Sequence, residues 1–189
     1  MARQARSNDE LEAMLMPLLK NVVDYVVQKI WNENRELVRT VVYESYQPTE
    51  YDRTGQFKEA WSTQVKTKGN MVTGEFYYDP DKLDSFDGHH ESIVDGQPMQ
   101  DYLAEIIYEG LSGAIYQKGY AKYSKRFKGQ AWTKKRDAWK KLLKRIGTDK
   151  MKRMFEEGMR QQGLKFNAHA SHLVAVEDWG KIYHHRSGN

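Results

Sequence analysis

An α+β fold, with a long N-terminal helix packed on a small antiparallel β-sheet and a basic helical C-terminal region, follows from three features of the sequence. Apolar residues recur at helical spacing from Leu11 to Tyr46. The period then changes to two across residues 62–68, and residues 71–78, beyond Gly69-Asn70, are rich in β-branched and aromatic side chains. Beyond residue 118, Lys and Arg crowd around a further apolar stripe of helical spacing.

The first helix is expected from about Asp9 to Tyr46. Ser7, Asn8 or Asp9 suits its N-cap, with acidic residues in the first turn. Leu11, Leu15, Leu18, Leu19, Val22, Val23, Val26 and Ile30 form its stripe, and Val38, Val41, Val42 and Tyr46 extend it. Pro17 either opens the main helix or kinks it. Asn32-Glu33-Asn34 marks a weak point where the helix is expected to break, and Gln47-Pro48-Thr49 ends it.

The hairpin comes next, entered through Arg53-Thr54-Gly55. Gly55 is a candidate for a backbone geometry that a Cβ resists. Phe57 and Trp61, four apart, are expected on one face of a single helical turn, and with Phe76 and Tyr78 they are candidate core residues. Gly69-Asn70, with Gly first, suits a two-residue turn. After Asp79-Pro80 an acidic loop runs to Asp95, with Asp81, Asp84, Asp87, His89 and His90. It lacks the ligand spacing of a helix-loop-helix calcium site, so it reads as a solvated insertion with no metal. Ile106 and Ile107 fit either a helix opened by Pro98 or a strand over 104–108, and Gly110 closes that element.

Lys118 to Arg153 holds fifteen Lys or Arg against Asp137 and Asp149, a net of +13. The rest of the chain has 15 basic and 24 acidic residues, a net of −9. Such segregation bears on partners and assembly. In the first part of this segment Lys118, Lys122, Lys125, Arg126 and Lys128 alternate with Tyr120 and Tyr123. Cations and stacking planes in that arrangement suit a nucleic-acid backbone or an acidic partner. In the second part Trp132, Trp139, Leu142, Leu143 and Ile146 read as the core face of an amphipathic helix whose basic face is solvated. Thr148 or Asp149 caps a last helix striped by Met151, Met154, Phe155 and Met159, and the Gly163 region ends it. Residues 170–176 read as a strand, and His184-His185 as solvated.

The 189 residues organise as a flexible arm (1–8) and one α+β domain (9–189). The domain comprises a core (9–115), a basic helical extension (116–165), and a C-terminal strand and tail (166–189). With no cysteine there is no disulfide framework, thiolate zinc site or cysteine nucleophile. The N-terminal residues lack the apolar core of a secretory leader, and no apolar run is long enough to span a membrane. Phosphate-loop, dinucleotide, nucleophile-elbow and zinc-helix motifs are missing. The expectation is a binding or assembly protein with no cofactor, not an enzyme.

The order of elements adds a family resemblance. Thr54, Gly55 and Phe57 follow the first helix, and Ala104, Glu109 and Gly110 precede a basic stretch. Over residues 10–115 this resembles the head-to-tail joining, or tail-completion, proteins of tailed bacteriophages, often described as neck or minor capsid proteins. Pro48 lies farther from the Thr-Gly step than is usual there, and the acidic loop and basic segment have no counterpart. The resemblance implies a homo-oligomeric ring in the virion neck, assembled in the host cytoplasm. The ring would join portal or adaptor proteins to tail tube or terminator proteins around a channel that DNA crosses. It also implies interface residues in place of catalytic ones. The candidates are the hairpin tip (Lys68, Gly69, Asn70) and the acidic loop (Asp81, Asp84, Asp87). The alternative reading is a sequence-nonspecific nucleic-acid-binding protein using residues 116–153.

Overall fold

The computed structural model describes residues 7–45, 54–83, 100, 103–104, 107–108 and 135–165. Helix α1 spans Asn8–Leu37 and runs on as a π-helical segment, Val38–Tyr43. A 3-10 turn, Gln56–Lys58, precedes strands β1 (Trp61–Lys68) and β2 (Met71–Tyr78), which pair as an antiparallel hairpin. A second 3-10 turn covers Pro80–Lys82, residues 100, 103, 104, 107 and 108 are helical, and helix α2 spans Ala138–Gln161 in two halves, broken at Gly147 (φ 46°, ψ 168°) just before the expected cap at Thr148 or Asp149. The fold is α+β. The expected strand at 170–176 and the loop beyond Leu83 lie outside the described residues.

Ser7 is the N-cap of α1: its Oγ accepts from the Glu10 amide at 3.2 Å, and its carbonyl from the Leu11 amide at 3.1 Å. Pro17 therefore does not start the helix; it lies inside it. The expected break at Asn32–Asn34 is absent as well, and the helix passes through those residues without interruption. The irregularity comes later, where the Glu44 amide donates to the Arg39 carbonyl, a five-residue step. Two local causes converge there. Val38, Thr40, Val41 and Val42 are β-branched, which crowds a tight helix. The Thr40 hydroxyl also donates to the Glu36 carbonyl at 3.0 Å, competing with the ladder. Arg39 pairs with both Glu36 and Glu44 across the wider turn, and these contacts raise its pKa, the Glu36 hydrogen bond most.

The chain divides into two compact units, and each draws on several parts of the sequence. The first comprises Met1–Asn32, Ser62–Tyr77 and Arg145–Val174. Here α1 lies on the hairpin, as expected: Gln28 Nε2 donates to Thr63 Oγ1 at 2.9 Å. The two-residue turn puts Thr63, Val65 and Thr67 on the same face as Val72, Gly74 and Phe76. Val22, Val26, Val27 and Ile30 are buried along α1, and Met154 and Met159 along the second half of α2. That half approaches α1 closely. A Cβ at Gly158 would stand 3.1 Å from Val22 Cγ1 and 3.2 Å from Tyr25 Cδ1. The helix ends in a Schellman motif. The Leu164 amide reaches the Met159 carbonyl at 2.9 Å and the Gly163 amide the Arg160 carbonyl at 3.0 Å, with Gly163 at φ 74°.

The second unit comprises Glu33–Trp61, Tyr78–Lys144 and Ala175–Asn189. Five aromatic rings fill its centre. Trp61 lies 6.1 Å from Phe57, 5.5 Å from Tyr78, 6.0 Å from Tyr108 and 5.9 Å from Trp139, all between ring centroids. Phe57 and Trp61 thus meet, but not on one helical turn. The turn at Gln56–Lys58 closes first, and Trp61 is already the first residue of β1. Tyr78 Oη donates to the Gln100 carbonyl at 2.6 Å and Lys82 Nζ to the Trp61 carbonyl at 2.8 Å, which fixes both strand roots. Tyr108 and Ala104 are buried at helical positions, so of the two readings of residues 104–108 the helix holds at the described ones. Burial first, and the Asp137 carboxylate second, keep the Tyr108 hydroxyl well above its ordinary pKa.

Asn34 belongs to the same unit. It is fully buried, and neither amide atom has a hydrogen-bond partner among the described residues. Such an amide retains its desolvation cost without compensation. Asn34→Leu, of similar size, is expected to stabilise the fold by about 1–3 kcal/mol. A urea midpoint that moves down instead would refute this account of the site.

Candidate interaction surface

The stripe of α1 changes character along its length. From Val22 onward its apolar residues are mostly buried, whereas Leu15, Met16 and Leu19 are half-buried and Leu11 is 45% exposed. The reason is length. A thirty-residue helix spans about 45 Å and an eight-residue strand about 26 Å, so the helix outruns its cover. The hairpin tip ends beside the uncovered part. Asn70, with Asn8, Leu11, Glu12, Leu15, Met16 and Leu19, lines an open groove of about 250 Å³ within the first unit. Met71, next to the tip, is 58% exposed.

The lining is largely apolar. Glu12 is its one ionisable side chain, and the other residues are aliphatic or amide. Among the described residues no group of three or more His, Cys, Asp or Glu stands together as a metal site requires, and no helix is long and apolar enough to cross a membrane. An exposed apolar strip with a polar edge is the composition of a protein contact.

The residues singled out in the sequence fall in several places. Lys68, Gly69 and Asn70 form the hairpin tip, with Gly69 at φ 57°, and Asn70 reaches the groove. Thr54 Oγ1 accepts from the Gln56 amide at 3.4 Å, and Gly55, at φ 77°, turns the chain into the 3-10 segment. Asp81 is exposed in the turn Pro80–Lys82. Asp84, Asp87 and Gly110 lie outside the described residues, as do Lys118, Tyr120, Lys122, Tyr123, Lys125, Arg126 and Lys128. The sequence reading counted Leu11, Leu15 and Leu19 as ordinary stripe residues and missed their exposure. The available signal was the mismatch between helix and hairpin lengths.

No curated protein and no solved structure matches the chain. A family model, YomN, matches residues 7–161, which covers α1, the hairpin and α2. The chain therefore belongs to the YomN family, a phage-associated family, and is a phage-related protein.

Proposed function

We propose that the chain is a non-enzymatic structural subunit of a tailed-phage virion, forming a homo-oligomeric ring in the neck between portal or adaptor proteins and the tail. Membership of a phage-associated family supports the setting. The observation that carries the reading is the apolar groove at the hairpin tip, which leaves Leu11 and Met71 in water unless another surface covers them. A ring built head-to-tail needs two different patches on each subunit. The groove is one. The opposed charges of the acidic body and the basic segment would align the neighbours and make assembly weaken with salt.

Light scattering of the purified chain at low and at high salt tests this. The wild type is expected to have a ring-sized mass at low salt. Leu11→Asp with Met71→Asp, at exposed positions that leave the core intact, is expected to yield monomers. A wild type that is monomeric under every condition, both alone and within assembled particles, would reject the ring. A variant that assembles like the wild type would reject the groove as its interface.

A further inference from the structure

Helix α2 starts behind Asp137, whose Oδ1 accepts from the Lys140 amide at 2.9 Å. Ala138 and Leu142 are buried, and Trp139 stacks on Trp61 with 13° between the rings. Lys140, Lys141 and Lys144 are exposed on the other side of the helix. Positions three and four apart are neighbours on a helix surface, so the three ammonium groups share one face and repel one another. Little offsets that repulsion. Asp137 lies 3.9 Å from Lys140 Nζ and is shared with Lys135 at 3.6 Å, pairs too exposed to contribute much. Lys141 and Lys144 have no acidic partner among the described residues.

We infer that this lysine face of α2 binds the phosphate backbone of duplex DNA without sequence preference. The chemistry of the face selects that ligand. Its exposed positions carry no apolar side chain, so it offers neither an anchor for a protein partner nor a wedge for a membrane. It presents no aromatic plane for unstacked bases, because Trp139 is occupied by Trp61. What remains is a row of flexible cations on the capped first half of α2, ahead of the break at Gly147, which neutralises phosphates and reads no base edges. The face lies outside the stretch that mixes Lys with Tyr, and it does not depend on the ring reading, because a single copy would bind as well.

The test uses the full chain and short labelled duplexes of two unrelated sequences, titrated over a range of salt. The wild type is expected to bind both equally. Lys140→Ala, Lys141→Ala and Lys144→Ala together are expected to weaken binding about tenfold or more and to reduce the slope of log affinity against log salt by about 2–3. The corresponding triple Arg variant is expected to keep wild-type binding, and Lys20→Ala with Lys29→Ala, at exposed positions of α1, to bind as the wild type does. Wild-type protein that does not bind, an unchanged slope in the triple Ala variant, or an equal loss in the Lys20 and Lys29 control would each overturn the inference. Light scattering of the same samples separates the two proposals: a ring indifferent to DNA refutes this one alone, and a monomer whose DNA binding needs these lysines upholds this one without any ring.

Discussion

Replacing Trp61 with alanine is expected to cost about 3–5 kcal/mol, the range for removing a large aromatic side chain from a packed core. Trp61 is 1% exposed, and its ring centroid lies within 6.1 Å of four other aromatic rings. The loss therefore combines buried area, the cavity left behind, and several edge-to-face and stacked contacts. Phe57, Tyr78, Tyr108 and Trp139 come from four separate stretches of chain, so no single local shift closes the gap. A domain of this size has a total stability of roughly 5–15 kcal/mol, so the variant is expected to be marginal and to melt about 10 °C or more below the wild type. Trp61→Phe, which keeps a ring in the cluster, is expected to lose much less. Urea unfolding followed by circular dichroism measures both. A loss under about 1 kcal/mol for Trp61→Ala would mean that the cluster is not what holds this unit together.

How much of this was readable beforehand depends on the range of the interaction. The hairpin was legible because its signals are local: alternation on the first arm, β-branched and aromatic residues on the second, and a Gly-led two-residue turn. The C-terminal end of α2 was equally legible, through the Met stripe and Gly163. The continuity of α1 was not. Asn32 and Asn34 have modest helix propensity and suggested a break, but Ile30, Leu37 and Val38 are buried on either side of them, and packing outweighs a few tenths of a kcal/mol of propensity. The actual irregularity rests on Thr40 and on Arg39 reaching Glu44, a geometry that no pattern count reveals. For the candidate surface, the sequence supplied the hairpin tip but not the helix residues beside it. Leu11 has the same spacing as Val22, and only the three-dimensional reach of the hairpin distinguishes an exposed stripe residue from a buried one.

Gly74→Val is expected to destabilise the protein by about 1–3 kcal/mol, although sequence rules predict the opposite sign. Glycine inside a strand is unfavourable and valine is among the best strand formers, so by propensity alone the change should help. The packing of α1 on the hairpin reverses this. A Cβ at residue 74 would stand 2.6 Å from Val27 Cγ1 and 2.7 Å from Val23 Cγ1, closer than carbon atoms approach. Both neighbours are β-branched residues on a helix, where a single χ1 rotamer dominates, so they cannot swing aside cheaply. Either the hairpin lifts from α1, weakening contacts such as Gln28 to Thr63, or the helix moves and disturbs the packing of its own buried Val22 and Val26. The clash is pairwise and therefore has a signature. Val23→Ala, at a half-buried position, removes one of the obstructing methyl groups and is expected to recover part of the loss when combined with Gly74→Val. Strict additivity of the two substitutions, or a Gly74→Val protein as stable as the wild type, would show that residue 74 tolerates a side chain and that α1 does not lie as close to β2 as the structure places it.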